Sequence, residues 1–444
     1  MEVIPWLAES YEVNDEHTEW TIKLKDGIKF SDGCDLTPTK VKEYFDHMKE
    51  VGPSGSAKPE KYLEFEAEVT VDDDANTINI KTSKPYANLV GQLCHPTMGI
   101  TDVEHIENYD NGIIGTGPYK IESWDEGQAI TLVKNEDYFK GEPSIDKIVF
   151  KIVPDDNAKA LQLKSGELDL ALLTPKDAAF FADDDAYTCY DMKTSDYRGI
   201  MFNFGNEYWQ KNRDLIPAVC YGLDRQAIID AVLLGQGMPA YGPLQRNIYN
   251  CEDVEHYDYN PEKSKEILEA AGCEMGDDGF YYRDGEKVGF VISVSAGDQV
   301  RIDMAQIAAQ ELKEIGMDVS VEIPAQTDWA GQMAFLIGWG SPFDADDHTY
   351  KVFGTDKGAN YSSYSNEDVD KYLTEARQSD DPEVRKEAYA NFQKALAEDP
   401  AYAMICYIDA NYVADSNIKG INPDTIMGHH GVGIFWNVAD WTIE

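Results

Sequence analysis

Basic side chains are what this chain has least of for its size. Its 444 residues hold 38 Lys plus Arg against 82 Asp plus Glu, a formal net charge of −44. A surface so negative repels phosphate backbones and anionic headgroups, which argues against a nucleic-acid or membrane-surface role. No run approaches the ~20 apolar residues that cross a bilayer. The seven cysteines, at 34, 94, 189, 220, 251, 273 and 406, lack Cys-x-x-Cys spacing. Thiolate zinc sites and redox motifs are therefore not expected, and most of the thiols should be buried as small hydrophobes. There is no short tandem repeat or low-complexity tract, which excludes a solenoid or propeller of obvious period. Also missing are the Gly-x-Ser-x-Gly elbow, the Gly-x-x-x-x-Gly-Lys-Ser/Thr loop and the Gly-x-Gly-x-x-Gly fingerprint. Gly115-Thr116-Gly117 resembles a phosphate loop superficially, but Pro118 removes a backbone donor that such a loop needs. No nucleophile, base and oxyanion donor come together, so the expectation is a binding protein and not an enzyme.

What is present points to a folded chain. Hydrophobic residues make up 43% and aromatics 11%, too many for an acidic disordered polymer. The length suits two or three domains. Trp20-Thr-Ile-Lys-Leu24 alternates as a half-buried strand, and Thr37-Pro38 opens a helix with Val41, Tyr44 and Phe45 on one face. Val51 to Ala57 reads as a surface loop. Lys147–Val153, a helix to Lys164 and Leu168–Leu172 read as a strand–helix–strand unit. A second unit alternates through Val288, Phe290, Ile292 and Val294. It continues with the helical stripe Met304, Ala305, Ala308, Leu312 and Ile315, then Val319, Val321 and Ile323. Short connections favour parallel pairing within each unit, which puts Ser295–Asp298 at a cleft edge beyond the strand ends. Asp381-Pro382 opens a later helix with a buried stripe of Val384, Ala388, Phe392 and Leu396, and Ala403–Ile408 reads as a buried strand. The class is α/β, or mixed α+β.

Several side-chain groups are candidates for binding. Trp339 and Phe343 follow the apolar run Phe335-Leu336-Ile337 and sit among Gly338, Gly340 and Pro342, a pattern that supplies flat apolar walls and open backbone groups. The acidic group Asp344, Asp346 and Asp347 with His348 attracts cations, yet lacks the glycine and distal Glu of a calcium loop. Tandem His429-His430, between Gly428 and Gly431, can present two imidazoles to a metal from one loop, or be surface histidines.

A series of ordered blocks carries a resemblance over essentially the whole chain. They include Pro5-Trp-Leu-Ala-Glu-Ser-Tyr-Glu-Val13, Phe30-Ser-Asp-Gly33, Leu36-Thr-Pro38, Gly115-Thr-Gly-Pro-Tyr119 and Asn135-Glu-Asp-Tyr-Phe139. Further along stand Ser165-Gly-Glu-Leu-Asp169, Leu223-Asp-Arg-Gln-Ala-Ile228, Tyr259-Asn-Pro-Glu-Lys263 with Ala271-Gly272, and Tyr364-Ser-Asn-Glu-Asp-Val-Asp370. The chain resembles bacterial extracellular solute-binding proteins of family 5, the peptide- and nickel-binding components of ABC importers. That resemblance implies a two-lobed clamp of the periplasmic-binding-protein type (class II, cluster C) with an extra small domain. It places the small domain and a remnant of lobe I in 1–112, lobe I in 113–215 with 425–444 returning to it, and lobe II in 216–424. It further implies a monomer that closes on a ligand, docks on an ABC permease and works outside the cytoplasmic membrane, often as a lipoprotein. The start at Met1 carries no export signal and falls almost on the first block, so a lobe I segment is expected to be missing.

The blocks also bear on the ligand. Peptide-binding members resemble Gly-Trp-x-x-Asp, whose aspartate holds an α-amino group; here Gly338-Trp-Gly-Ser-Pro-Phe-Asp344 puts a proline at that position. The pattern is closer to the nickel-binding branch, where the tryptophan and the aromatic four residues later line a chelate pocket. The arginines which that branch uses for the chelate's carboxylates have no match in the sequence, and Asp344 and Asp346 are alternatives for an amine. The primary expectation is short peptides, with Trp339, Phe343, Asp344 and Asp346 as ligand contacts. The alternatives are a nickel chelate, with His429 and His430 as metal candidates, and a surface sensor that does not transport. No cofactor is expected apart from such a bound chelate.

Overall fold

The computed structural model describes residues 3–51, 67–104 and 112–444; most of the expected loop after Val51 lies outside them. At the N-terminal end an antiparallel sheet is ordered Ala8–Val13, Glu19–Leu24, Thr77–Thr82, Ala67–Asp72. Alternation decides its faces. Trp20, Ile22 and Leu24 are buried while Glu19, Thr21 and Lys23 are exposed, as a two-residue side-chain period requires. The helix Pro38–Val51 adds Val41, Tyr44 and Phe45 to the same core. Its first turn is capped by Thr37, whose Oγ1 accepts from Lys40 N at 3.3 Å.

Gly115–Tyr119 leads into a three-stranded antiparallel sheet of Tyr119–Asp125, Ala129–Lys134 and Lys147–Lys151. The helix Asp156–Lys164 follows, capped by Asp155. The expected parallel partner of Lys147–Lys151 is not its partner. Leu170–Leu173 joins a different sheet and pairs antiparallel with Tyr402–Asp415. The reason is burial: Lys147–Lys151 is largely exposed, whereas Ala171 and Leu173 pack with Val413, Leu163 and Phe181 in a core of their own.

Two long strands organise the rest. Tyr187–Phe202 and Tyr402–Asp415 pair antiparallel along their lengths, with irregularities between Met404 and Cys406 and between Tyr407 and Asp409. Their lower halves, with Met192, Ala410, Tyr412 and Ala414, belong to one core that includes Met427, Ile434 and Trp441. Their upper halves, Tyr197–Phe202 and Tyr402–Tyr407, belong to the large lobe II core. We therefore take the lobes to meet at residues 193–196 and 408–409, where the expected divisions stood at 215/216 and 424/425.

In lobe II the second strand–helix–strand unit forms as expected. Val291–Ser293 pairs parallel with Ser320–Glu322 across the helix Gln299–Glu314, and parallel with Ala334–Trp339. Ser293 and Trp339 thus end their strands on one edge, the place where open α/β sheets bind ligands. The helix Pro382–Glu398, capped by Asp381, buries Ala388, Phe392 and Leu396 but leaves Val384 45% exposed in its first turn. All seven cysteines are free. Cys220, Cys273 and Cys406 are buried, Cys34, Cys94 and Cys189 are exposed, and Cys251 is intermediate, so the expectation of mostly buried thiols holds for the lobe II core alone.

Candidate functional site between the lobes

The site is built where the two long strands pass from one lobe to the other. Ser195 N donates to Met427 O at 2.9 Å and Met427 N to Lys193 O at 2.8 Å, which lays the segment Met427–Gly431 against the crossing. This brings both histidines to one carboxylate. His429 Nδ1 lies 2.9 Å from Asp196 Oδ1, and the His430 backbone N donates to Asp196 Oδ2 at 2.8 Å. His430 holds φ of 58°, a left-handed conformation that costs a side-chain-bearing residue and concentrates at functional sites. The His429 and His430 rings are 3.9 Å apart between centroids.

Electrostatics fix their chemistry. Asp196 is fully buried and also pairs with Arg198 Nη1. Burial alone would raise its carboxyl, but Arg198 and then His429 outweigh burial and hold it well below the usual carboxylate range. An ionised Asp196 is placed to accept from His429 Nδ1, the arrangement by which carboxylates orient metal-binding imidazoles. His430 opens toward solvent, yet its imidazolium is disfavoured by its crowded surroundings first and by His429 next, with its pKa down to about 4. The His430 ring can therefore offer a neutral nitrogen donor, as metal binding requires.

Two buried guanidiniums stand beside them. Arg198 crosses Gly338 so closely that a Cβ there would lie 2.0 Å from Nη1. Arg301 rises from the first turn of its helix, with Nε 3.1 Å from the capping Asp298. It is pushed down to about 10 by burial first and by Arg198 second. Arg198 Nε and Arg301 Nη2 are buried without hydrogen-bond partners among the described residues. A buried donor left unpaired costs about 1–3 kcal/mol. Aromatic rings close the other side. Trp339 stacks on His429 at 6.2 Å and on Tyr361 at 5.9 Å, and Tyr361 stacks on Trp329 at 4.8 Å.

The structure therefore brings Trp339, His429 and His430 together. Phe343 sits further along, tilted against His95 of the N-terminal domain at 5.6 Å. Asp344 and Asp346 are not presented to a ligand. Asp344 caps the helix Ala345–Phe353 and pairs with Arg385, and Asp346 is buried against Arg377 at 2.9 Å; two arginines from neighbouring helices have taken up both charges. Asp196, Arg198, Arg301 and Tyr361 escaped the sequence reading. The signal for the first two was an acid–aromatic–base triplet, Asp196-Tyr197-Arg198, directly before the apolar end of the strand Tyr187–Phe202. Among the described residues, the cluster with three metal-ligating side chains is Asp32, Cys34 and Asp102, in the N-terminal domain, where Lys40 already pairs with Asp102.

Comparison with known proteins agrees with this architecture. The family model of bacterial extracellular solute-binding proteins, family 5 Middle, matches residues 2–361. The oligopeptide-binding protein AppA of Bacillus subtilis is 30% identical over 464 residues, covering 98% of this chain and 82% of AppA. Protein XP55 of Streptomyces lividans is 30% identical over 443 residues, covering 95% of this chain and 79% of that protein. The crystal structure of NikZ from Campylobacter jejuni in complex with Ni(L-His) superposes with a TM-score of 0.90 at 29% identity, covering 99% of this chain and 90% of NikZ. AppA is named for oligopeptide binding and the NikZ structure holds Ni(L-His), and no helix among the described residues is long and apolar enough to cross a membrane. A two-lobed chain whose cleft joins both lobes, matched by this model over most of its length, belongs to the bacterial extracellular solute-binding proteins of family 5, the solute-capturing components of ABC importers.

Proposed function

We propose that this protein captures a transition-metal chelate, nickel carried by a small amino acid such as histidine, for delivery to an ABC permease. The observation that carries the reading is the tandem His429-His430 in the cleft, with His429 Nδ1 held by Asp196 and its ring stacked on Trp339. Imidazole nitrogens suit nickel, and two of them leave coordination positions for the amine, carboxylate and imidazole of a chelating histidine. Arg198 and Arg301 supply guanidiniums for the chelate's carboxylate, the groups for which the sequence offered no match. Trp339 gives a flat wall to a ring-bearing ligand. The histidines come from the lobe I side and Trp339 and Arg301 from lobe II, so contacts that need both lobes would shift the population toward closure. A place outside the cytoplasmic membrane on a lipid anchor fits the same role. The likeness to a NikZ structure holding Ni(L-His) supports this reading.

The test is calorimetric titration with nickel, with L-histidine and with the two together. Tight binding is expected for the mixture, and at least ~100-fold weaker binding for His429→Ala/His430→Ala, from the loss of two metal bonds. Unchanged affinity in that double variant would overturn the metal reading. Short peptides are the second reading, favoured by 30% identity to the oligopeptide-binding AppA; Arg198 and Arg301 would then hold a peptide's terminal carboxylate. Binding of a di- to nonapeptide pool with no response to nickel–histidine would decide for it.

A further inference from the structure

We infer that the N-terminal domain is a working jaw of the clamp, latched to lobe II by contacts that need no cargo. The latch centres on Arg377. Its guanidinium carbon lies 3.3 Å from the ring centroid of Tyr350 in lobe II and 5.2 Å from that of Tyr86 in the N-terminal domain, so one cation is sandwiched between the two bodies. Its partner Asp346 accepts from Arg377 Nε and Nη2, and also from Gln92 Nε2 of the N-terminal domain at 3.4 Å. Asp346 is 1% exposed and Tyr86 4%, so parting the bodies would rehydrate a desolvated ion pair and uncover an aromatic ring. Nearer the rim, His17 Nε2 lies 2.9 Å from Asp380 Oδ2, and His95 meets Phe343.

The placement links this latch to the cargo loop. Asp346 stands in the first turn of Ala345–Phe353, the helix that begins directly after Trp339–Phe343. Anchoring that helix to the N-terminal domain positions the loop carrying Trp339 before any ligand arrives. Gln92, His17 and Arg377 are thus positioning residues: they touch no cargo and act by raising the closed fraction of the empty protein. An affinity measured on a protein that is only partly competent falls by that fraction, so releasing the latch weakens binding without altering a ligand contact. The inference uses the capture reading for its consequence, but closure of the empty protein is a separate observable.

The experiment compares wild type with Gln92→Ala/His17→Ala, both changes lying on the N-terminal side and leaving Asp346–Arg377 intact. Small-angle scattering of the cargo-free proteins should give a compact form for wild type and an enlarged radius of gyration for the variant. Titration with nickel plus L-histidine should show roughly fivefold to tenfold weaker binding for the variant, with the loss in the dissociation rate. Equal cargo-free scattering of wild type and Gln92→Ala/His17→Ala, whether both compact or both open, would overturn the latch. A wild type that scatters as a compact form, opens in the variant, and yet binds no nickel–histidine would uphold the latch and refute only the cargo.

Discussion

Gly338 offers a sharp test of how the site is held, because the substitution Gly338→Ala adds a single methyl group. An ideal Cβ at that position lies 2.0 Å from Arg198 Nη1, 2.7 Å from Cζ and 3.1 Å from Cδ. The methyl and the guanidinium cannot share this space. Arg198 is 3% exposed, so it cannot swing into solvent without opening the lobe II core, and any shift pulls Nη1 from Asp196. Removing one partner of a buried ion pair costs about 3–5 kcal/mol; a displaced arginine keeps part of its interaction, so about 2–3 kcal/mol is the expected loss. If that loss falls on cargo binding it is a drop of roughly 30- to 150-fold in affinity. Asp196 would keep His429 and the His430 amide, and the histidines would remain in place. Urea unfolding and nickel–histidine calorimetry on the same preparation read the two contributions. An alanine variant with wild-type midpoint and wild-type affinity would refute the claim that Arg198 is pinned across Gly338 as part of the site.

Other perturbations follow from the same geometry. In Gly340→Ala the new Cβ would lie 2.1 Å from the Ser195 carbonyl oxygen, a backbone atom that cannot step aside, so this variant should be less stable in urea than Gly338→Ala. His348 is 3% exposed and burial pushes it down to about 4. Between pH 6.5 and about 4 the unfolded chain takes up a proton there that the folded protein refuses, so stability falls as pH drops through this window. His348→Phe should flatten that acid limb by up to about 3 kcal/mol, read as the difference in unfolding free energy between pH 7 and pH 4.5; an unchanged slope would contradict it. Asp346→Ala leaves the Arg377 cation buried without its carboxylate, and should lower stability by about 3–5 kcal/mol, measured by chemical denaturation. Trp339→Ala should weaken nickel–histidine binding about tenfold through the lost ring contact and also lower the unfolding midpoint, since the ring packs on the lobe II core.

The chain's periodicities settled much by themselves. Glu19–Leu24 alternates because every second side chain faces one side of the strand, and the N-terminal core formed on the residues that alternation picks out. The capped helices at Asp155, Asp298 and Asp381 begin where short acidic side chains can accept the first free backbone amides. The pattern Trp339-Gly-Ser-Pro-Phe343 singled out the end of its strand, where Trp339 stacks on His429 while Phe343 meets His95 instead. Local sequence also singled out His429-His430 as a metal candidate, and the ordered blocks identified the family.

Only the tertiary structure decided which charges face the cleft. Asp344 and Asp346 read as exposed acids along the sequence, but Arg385 and Arg377 arrive from helices some 30 to 40 positions away and neutralise them. Asp196, Arg198, Arg301 and His429 are spread over more than 200 positions, and no local spacing connects them. The pairing of Leu170–Leu173 with the returning strand has the same origin, since a short apolar strand joins whichever edge buries it best. Short-range patterning dictates which face of an element is apolar; which distant charge meets that element is set by the packing of the whole, where each ion must find its counter-ion or remain expensively dry.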